Sequence, residues 1–157
     1  MQNFMEVRYL ALDFKEQRFG CEIEMTGITR QQAAEAVATL FGTAARQTHE
    51  SRTYDPWEVT DTDWKLWRFV YDGSITATRR VGRSQGPAYD SAYKVELNSP
   101  ILTYGEMGKL QEVVRALRHA GAVVNGSCGL HVHVDAANHT PRSLRNLMSI
   151  KIGRAHV

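Results

Sequence analysis

The 157-residue chain reads as one α+β domain, a mainly antiparallel sheet with helices packed on one face. Three observations predict this. Several short segments alternate apolar and polar residues with period two, as half-buried strands do. Two segments carry helix-capping signatures with an apolar stripe between them. Close turn signals such as Asp72-Gly73 join neighbouring segments, whereas parallel strands need long crossovers. There is no regular βαβ pattern, and no GxGxxG or Walker loop.

Taken in order, Arg18 to Met25 reads as the first strand. A helix over Arg30 to Phe41 follows, with Thr29 and Gln32 as a capping box and Gly42 as its stop. Trp57 to Thr60 and Trp64 to Tyr71 are aromatic and β-branched strands around a turn at Asp61-Thr62-Asp63. The tryptophans suit packing better than a ligand cage. Asp72-Gly73 turns the chain into a strand from Ser74 to Thr78. Residues Arg79 to Tyr89, rich in Arg, Gly and Pro, read as a loop, and Ala92 to Asn98 resumes a strand ended by Pro100. Thr103 and Glu106 form a second capping box, with Leu102 and Met107 as a staple. That helix turns Leu110, Val113, Val114 and Leu117 inward and ends at Gly121. Ala122 to Val124 and Leu130 to Val134 read as short strands. Thr140-Pro141 starts a third helix with an apolar stripe at Leu144, Leu147 and Met148. The segment 151–157 breaks that stripe and reads as a tail foreign to the domain.

Composition narrows the function. With 43% apolar and 23% charged residues the chain can bury a core and is not of the disordered class. A net charge of +2 does not point to nucleic acid or membrane. The first residues carry Glu6 and Asp13 without a continuous apolar run, so no signal peptide is expected, and no stretch is long enough to span a bilayer. Cys21 and Cys128 have no CxxC spacing and read as structural thiols of a cytoplasmic protein.

The chemistry lies in the polar halves of the alternating strands. Glu22 and Glu24 share a face, about 7 Å apart at their Cα atoms, and suit a hard cation such as Mg²⁺. Glu96 shares a face with Lys94 and Asn98. His131 and His133 share a face, where imidazoles can bind a metal or donate to phosphate. Each motif alone also fits a solvated strand face. HxH occurs on strands of cupins and of amidohydrolase-type barrels, but a cupin offers a Glu shortly afterwards, where this chain has Asp135-Ala136-Ala137-Asn138-His139. The arginines at 79, 80 and 83 form a solvated loop or a clamp for phosphate or carboxylate. The residues leave two readings open: a zinc- or manganese-dependent hydrolase built on His131, His133 and Glu22, and a non-catalytic nucleotide-binding remnant.

In order, Phe19-Gly20-Cys21-Glu22-Ile23-Glu24, Tyr71-Asp72-Gly73-Ser74, Val95-Glu96-Leu97-Asn98-Ser99-Pro100-Ile101-Leu102 and Cys128-Gly129-Leu130-His131-Val132-His133-Val134 resemble the motifs of the amidoligase family. These are carboxylate–amine ligases that share the glutamine synthetase and glutamate–cysteine ligase fold. The stretch Asn125 to His133 is also similar to the Asn-Gly-Ser-Gly-x-His-x-His segment of glutamine synthetases, with one extra residue before the glycine. The resemblance runs from about Arg18 to Leu147. It implies ATP and Mg²⁺, or Mn²⁺ in its place, and an acyl phosphate attacked by an amine. The partners it implies are small-molecule or peptide carboxylates and amines. It further implies that Glu22, Glu24, Glu96 and His131 serve as metal ligands and catalytic groups, and that His133 touches phosphate; by their guanidinium chemistry alone, Arg79 and Arg80 are candidate phosphate contacts beside them. Asn125, Gly126 and Asp72 would border the substrates. Family chains continue well past the HxH strand, so this chain reads as the N-terminal part of such a catalytic domain.

Overall fold

The computed structural model describes residues 13–48, 55–137 and 139–154. The elements are β1 (Phe19–Met25), α1 (Arg30–Phe41), β2 (Ala45–Gln47), β3 (Trp57–Thr60), β4 (Leu66–Val70), β5 (Thr78–Val81), β6 (Ser84–Pro87), β7 (Val95–Asn98), α2 (Met107–His119), β8 (Leu130–Val134) and α3 (Pro141–Arg154). Six strands form one antiparallel sheet in the order β2-β3-β4-β7-β1-β8, and β5 and β6 form a separate hairpin. The expected α+β architecture is therefore present, with α1 and α2 on one face of the sheet. No helix among the described residues is long and apolar enough to cross a membrane.

Local chemistry sets the helix ends. The Thr29 side chain accepts from Gln32 N while Gln32 caps Thr29 N, and Gly42 closes α1 in the left-handed conformation at φ 67°. At the second box, Thr103 and Glu106 cap one 3₁₀ turn, Tyr104–Glu106, which runs straight into α2. Ala33, Ala34, Val37 and Ala38 of α1 and Leu110, Val113 and Leu117 of α2 cover Val59, Trp67, Phe69, Val95 and Leu97 of the sheet. Val114, expected inside, is 41% exposed. It borders an open apolar groove with Leu130, Val132 and Val134, so no helix among the described residues covers the back of β8. The α3 stripe at Leu144, Leu147 and Met148 is exposed too, and the helix continues through the expected break as far as Arg154.

Four expectations need correction. Ser74 to Thr78 is not a strand: Thr76 N donates to Ser127 Oγ and Thr76 O accepts from Asn125 Nδ2, so side chains take the bonds a strand partner would. Arg79 to Tyr89 is not a loop. It contains most of the β5–β6 hairpin, turned by Gly82 at φ 63° between Val81 and its partner Ser84. Ala122 to Val124 is reduced to a bridge between Val123 and Thr26, because Gly121 turns sharply at φ 106° just before it. The strand before Asn98 starts only at Val95, after a 3₁₀ turn at Ser91–Tyr93 capped by Asp90. The edge strand β2 was not anticipated; Arg46 anchors it to Glu58 of β3 at 3.0 Å. Trp64 belongs to the β3–β4 turn at φ 61° and is 89% exposed, while Trp67 is fully buried.

Two polar knots tie the layers together. Buried Arg30 of α1 donates to Ser91 O, Lys94 O and Asp55 O and pairs with the Asp55 carboxylate at 2.9 Å. Buried Asp61 accepts from Asp63 N, Lys65 N and Trp67 Nε1 and pairs with Lys109 of α2 at 2.9 Å. Burial alone would raise the Asp61 pKa, but the bonds from Lys109, Lys65, Trp67 and Asp63 overcome it and hold the carboxyl below its usual value. A depressed folded-state pKa stabilises the fold above the ordinary carboxylate range and loses that contribution as pH falls through the folded value. Asp61→Ala is expected to lower unfolding stability by about 2 kcal/mol in urea titrations at pH 7, since it leaves buried Trp67 Nε1 unmatched and Lys109 with Asp63 alone. Melting curves from pH 7 down to pH 3 should show a smaller acid-induced drop for the variant than for the parent chain.

Candidate active site

The face of the sheet opposite the helices carries the polar alternates of each strand. Pairing places Glu24 directly across from Glu96, and Glu22 across from Asn98 on one side and His131 on the other. The row continues from Asn98 to Arg68 of β4, Glu58 of β3 and Arg46 of β2. Asp72 arrives just past the end of β4, two residues beyond Val70, which faces Glu96. Glu24, Asp72 and Glu96 thus present carboxylate oxygens all within 4.8 Å of one another.

Each of the three acids is held by a local bond. Glu24 is buried, and its Oε2 accepts from Gly129 N at 2.8 Å. The Asp72 carboxylate accepts from Ser74 N at 2.6 Å, which lowers its pKa. Asn98 Nδ2 donates to Glu96 Oε1 at 2.9 Å. Glu96 moves the other way: burial raises its pKa, and the nearby charges of Glu22 and Asp72 add to the effect. Like-charge repulsion within the cluster thus acts in the same direction as burial, toward a higher Glu96 pKa. An all-oxygen set of this kind fits a hard divalent cation such as Mg²⁺.

The histidines form a second cluster beside the first. His131 Nδ1 lies 2.9 Å from Glu22 Oε2 and His133 Nε2 lies 3.0 Å from Glu22 Oε1, so both carboxylate oxygens of Glu22 face imidazole. The hydrogen bond from His131 lowers the Glu22 pKa, and the same bond raises that of His131.

Glu22, Glu24, Glu96, His131 and His133 therefore share one face, with Asp72 joining the carboxylates. Asn125 is occupied otherwise: its Oδ1 accepts from Ser127 N and Ser127 Oγ and its Nδ2 donates to Thr76 O. That folds the 125–129 loop so that Gly129 N reaches Glu24, while Gly126 is exposed and open. Arg79 and Arg80 lie on the hairpin. Arg79 bridges to Gly27, and Arg80 borders a cleft that none of the three clustered acids lines. Sequence reasoning missed Arg68, fixed to Glu58 at 3.1 Å. Its signal was a lone charge in Leu66-Trp67-Arg68-Phe69-Val70.

In the metal-free protein, Glu22→Gln is expected to bring the His131 pKa back down toward its ordinary value of 6.5. Histidine ring resonances followed by NMR between pH 5 and 9 read this directly; an unchanged midpoint would contradict the pairing.

A protein-family model described as "Putative amidoligase enzyme" matches residues 15–154. No curated protein and no solved structure matches the chain. The match spans every strand and helix on which the acidic and histidine clusters stand, and the chain belongs to this amidoligase family.

Proposed function

We propose that the chain carries the site of an ATP- and Mg²⁺-dependent carboxylate–amine ligase that forms amide or peptide bonds through an acyl phosphate. The observation that carries this reading is the convergence of Glu24, Asp72 and Glu96 on one point of the open sheet face. Family membership supports a ligase, and the all-oxygen donor set supports Mg²⁺ over a softer metal. Bound there, Mg²⁺, or Mn²⁺ in its place, would neutralise phosphate charge as ATP reacts.

In this reading Glu24, Asp72 and Glu96 hold the cation, with Asp72 a ligand rather than a substrate contact. A cation held there would offset the burial and like-charge repulsion that raise the Glu96 pKa. Glu22 keeps His131 and His133 oriented, and its hydrogen bond raises the pKa of His131, so that the ring N–H groups can donate to the transferred phosphoryl group. Phosphoryl transfer asks mainly for positioning and charge neutralisation, which these groups supply. Asn125 supports catalysis indirectly by setting Gly129 against Glu24. The substrates are small-molecule or peptide carboxylates and amines. Among the described residues, the ligand atoms that all lie within 4.8 Å of one another belong to Glu24, Asp72 and Glu96, an all-oxygen set that favours the ligase over a zinc hydrolase built on His131, His133 and Glu22.

Hydroxylamine can stand in for the amine, because it traps any activated acyl group as a coloured hydroxamate. With ATP, Mg²⁺ and a panel of carboxylates, one or more should yield hydroxamate together with equimolar ADP. Glu24→Gln and Glu96→Gln are each expected to reduce that rate by about 10² or more. They should also remove the rise in melting temperature that Mg·ATP gives the parent chain. Mg·ATP binding that both variants retain would sink the assignment of these acids. Stoichiometric zinc that survives dialysis would favour the hydrolase.

A further inference from the structure

We propose a second anion site, separate from the acidic cluster, in which Arg80, Arg83 and Arg118 hold a short chain of phosphoryl groups. The cleft lies between the β5–β6 hairpin and the end of α2, has a volume of about 300 Å³, and is lined also by Ser84, Gln85 and the Gly121–Val123 backbone. Its size is at the lower end for small-ligand clefts.

The charge pattern singles this cleft out. Arg18, Arg30, Arg46 and Arg68 each pair with a carboxylate. Among the described residues, no carboxylate lines the cleft or pairs with Arg80, Arg83 or Arg118. Arg80 is steadied by its own turn, donating from Nε to Gly82 O at 3.1 Å. All three are exposed, so an anion can reach them, and their planar forks match phosphate oxygens in pairs.

The negative end of α2 does not spoil the site. Its last carbonyls are taken by the chain that follows: Ala120 N donates to Ala116 O, Gly121 N to Arg118 O and Ala122 N to Leu117 O. The two walls are also held at a fixed spacing. Gly27 bridges to Arg79 of the hairpin, and a Cβ on Gly27 would come within 2.8 Å of Gly121 O and 2.9 Å of Val123 Cγ2. At φ 87° that position suits glycine alone, so hairpin and helix end close on each other through it.

The cleft is on the helix side of the sheet. Arg118, Ala122 and Val123 line both it and a neighbouring hollow that Glu24 and Met25 border. None of the three clustered acids lines the cleft itself, and the proposal stands whether or not the ligase reading holds.

The test is calorimetric titration of the full chain with sodium tripolyphosphate in EDTA at constant ionic strength, which silences any Mg²⁺ site. Saturable one-to-one binding is expected. Arg83→Ala, at an exposed hairpin tip where folding is not at stake, and Arg118→Ala should each weaken it by about tenfold. Arg115→Ala removes an equal charge from the same helix but outside the cleft, and should leave it unchanged. ATP in the same buffer separates the two sources of such a chain: equal affinity indicates the phosphates alone, and tighter binding a nucleotide. Absence of saturable binding, or an Arg115→Ala effect as large as that of Arg83→Ala, would overturn the proposal.

Discussion

The register of β1 is the constraint on which the rest depends. This strand is paired on both sides, to β7 and to β8. Its period-two alternation sends Cys21 and Met25 into the core and Glu22 and Glu24 to the open face. A slip of one residue would turn the acids toward the helices and the apolar side chains outward. The lock sits at the other end of the strand. Phe19 and Leu102 exchange backbone bonds at 2.9 and 2.8 Å, and the Ser99 hydroxyl accepts from Cys21 N at 2.8 Å. The Pro100 interruption thus falls between two fixed points instead of loosening the ladder.

What the sequence revealed followed from local signals. Both capping boxes, the Gly42 stop and Pro141 at the first turn of α3 are short-range chemistry and appear as expected. The β1, β7 and β8 alternations likewise identified Glu22, Glu24, Glu96, His131 and His133 as one face. The hairpin was hidden because Arg, Gly and Pro dominate it, although Gly82 was a fair sign of its turn. Strand order could not be read at all. Asp72 joins Glu24 and Glu96 only because β4 lies next to β7 and β7 next to β1, and nothing in the spacing of the residues states that. Arg68 became part of the polar face for the same reason. The neighbours that depend on geometry between distant strands were therefore the ones missed.

Two different electrostatic solutions stand side by side on that face. Glu22 meets positive charge from two imidazoles and stays ionised more readily. One pair further along, Glu96 faces other acids and is pushed toward its neutral form. The sheet thus presents a neutralised cluster next to one that is short of positive charge. Cations are drawn to the second, and anions in contact with them come within reach of the first. This asymmetry orients a charged ligand before any closer contact is made.

The uncovered back of β8 has a different bearing. Leu130, Val132 and Val134 are each more than half exposed, on a strand whose outer backbone edge has no sheet partner among the described residues. The stripe of α3 adds Leu144, Leu147 and Met148 to the water-exposed apolar surface. A bare apolar strand at a sheet edge is a template for pairing with another such edge. In concentrated solution this chain will therefore be governed colloidally by β8 rather than by its modest net charge, and its solubility will be set by how much of that one strand remains in contact with water.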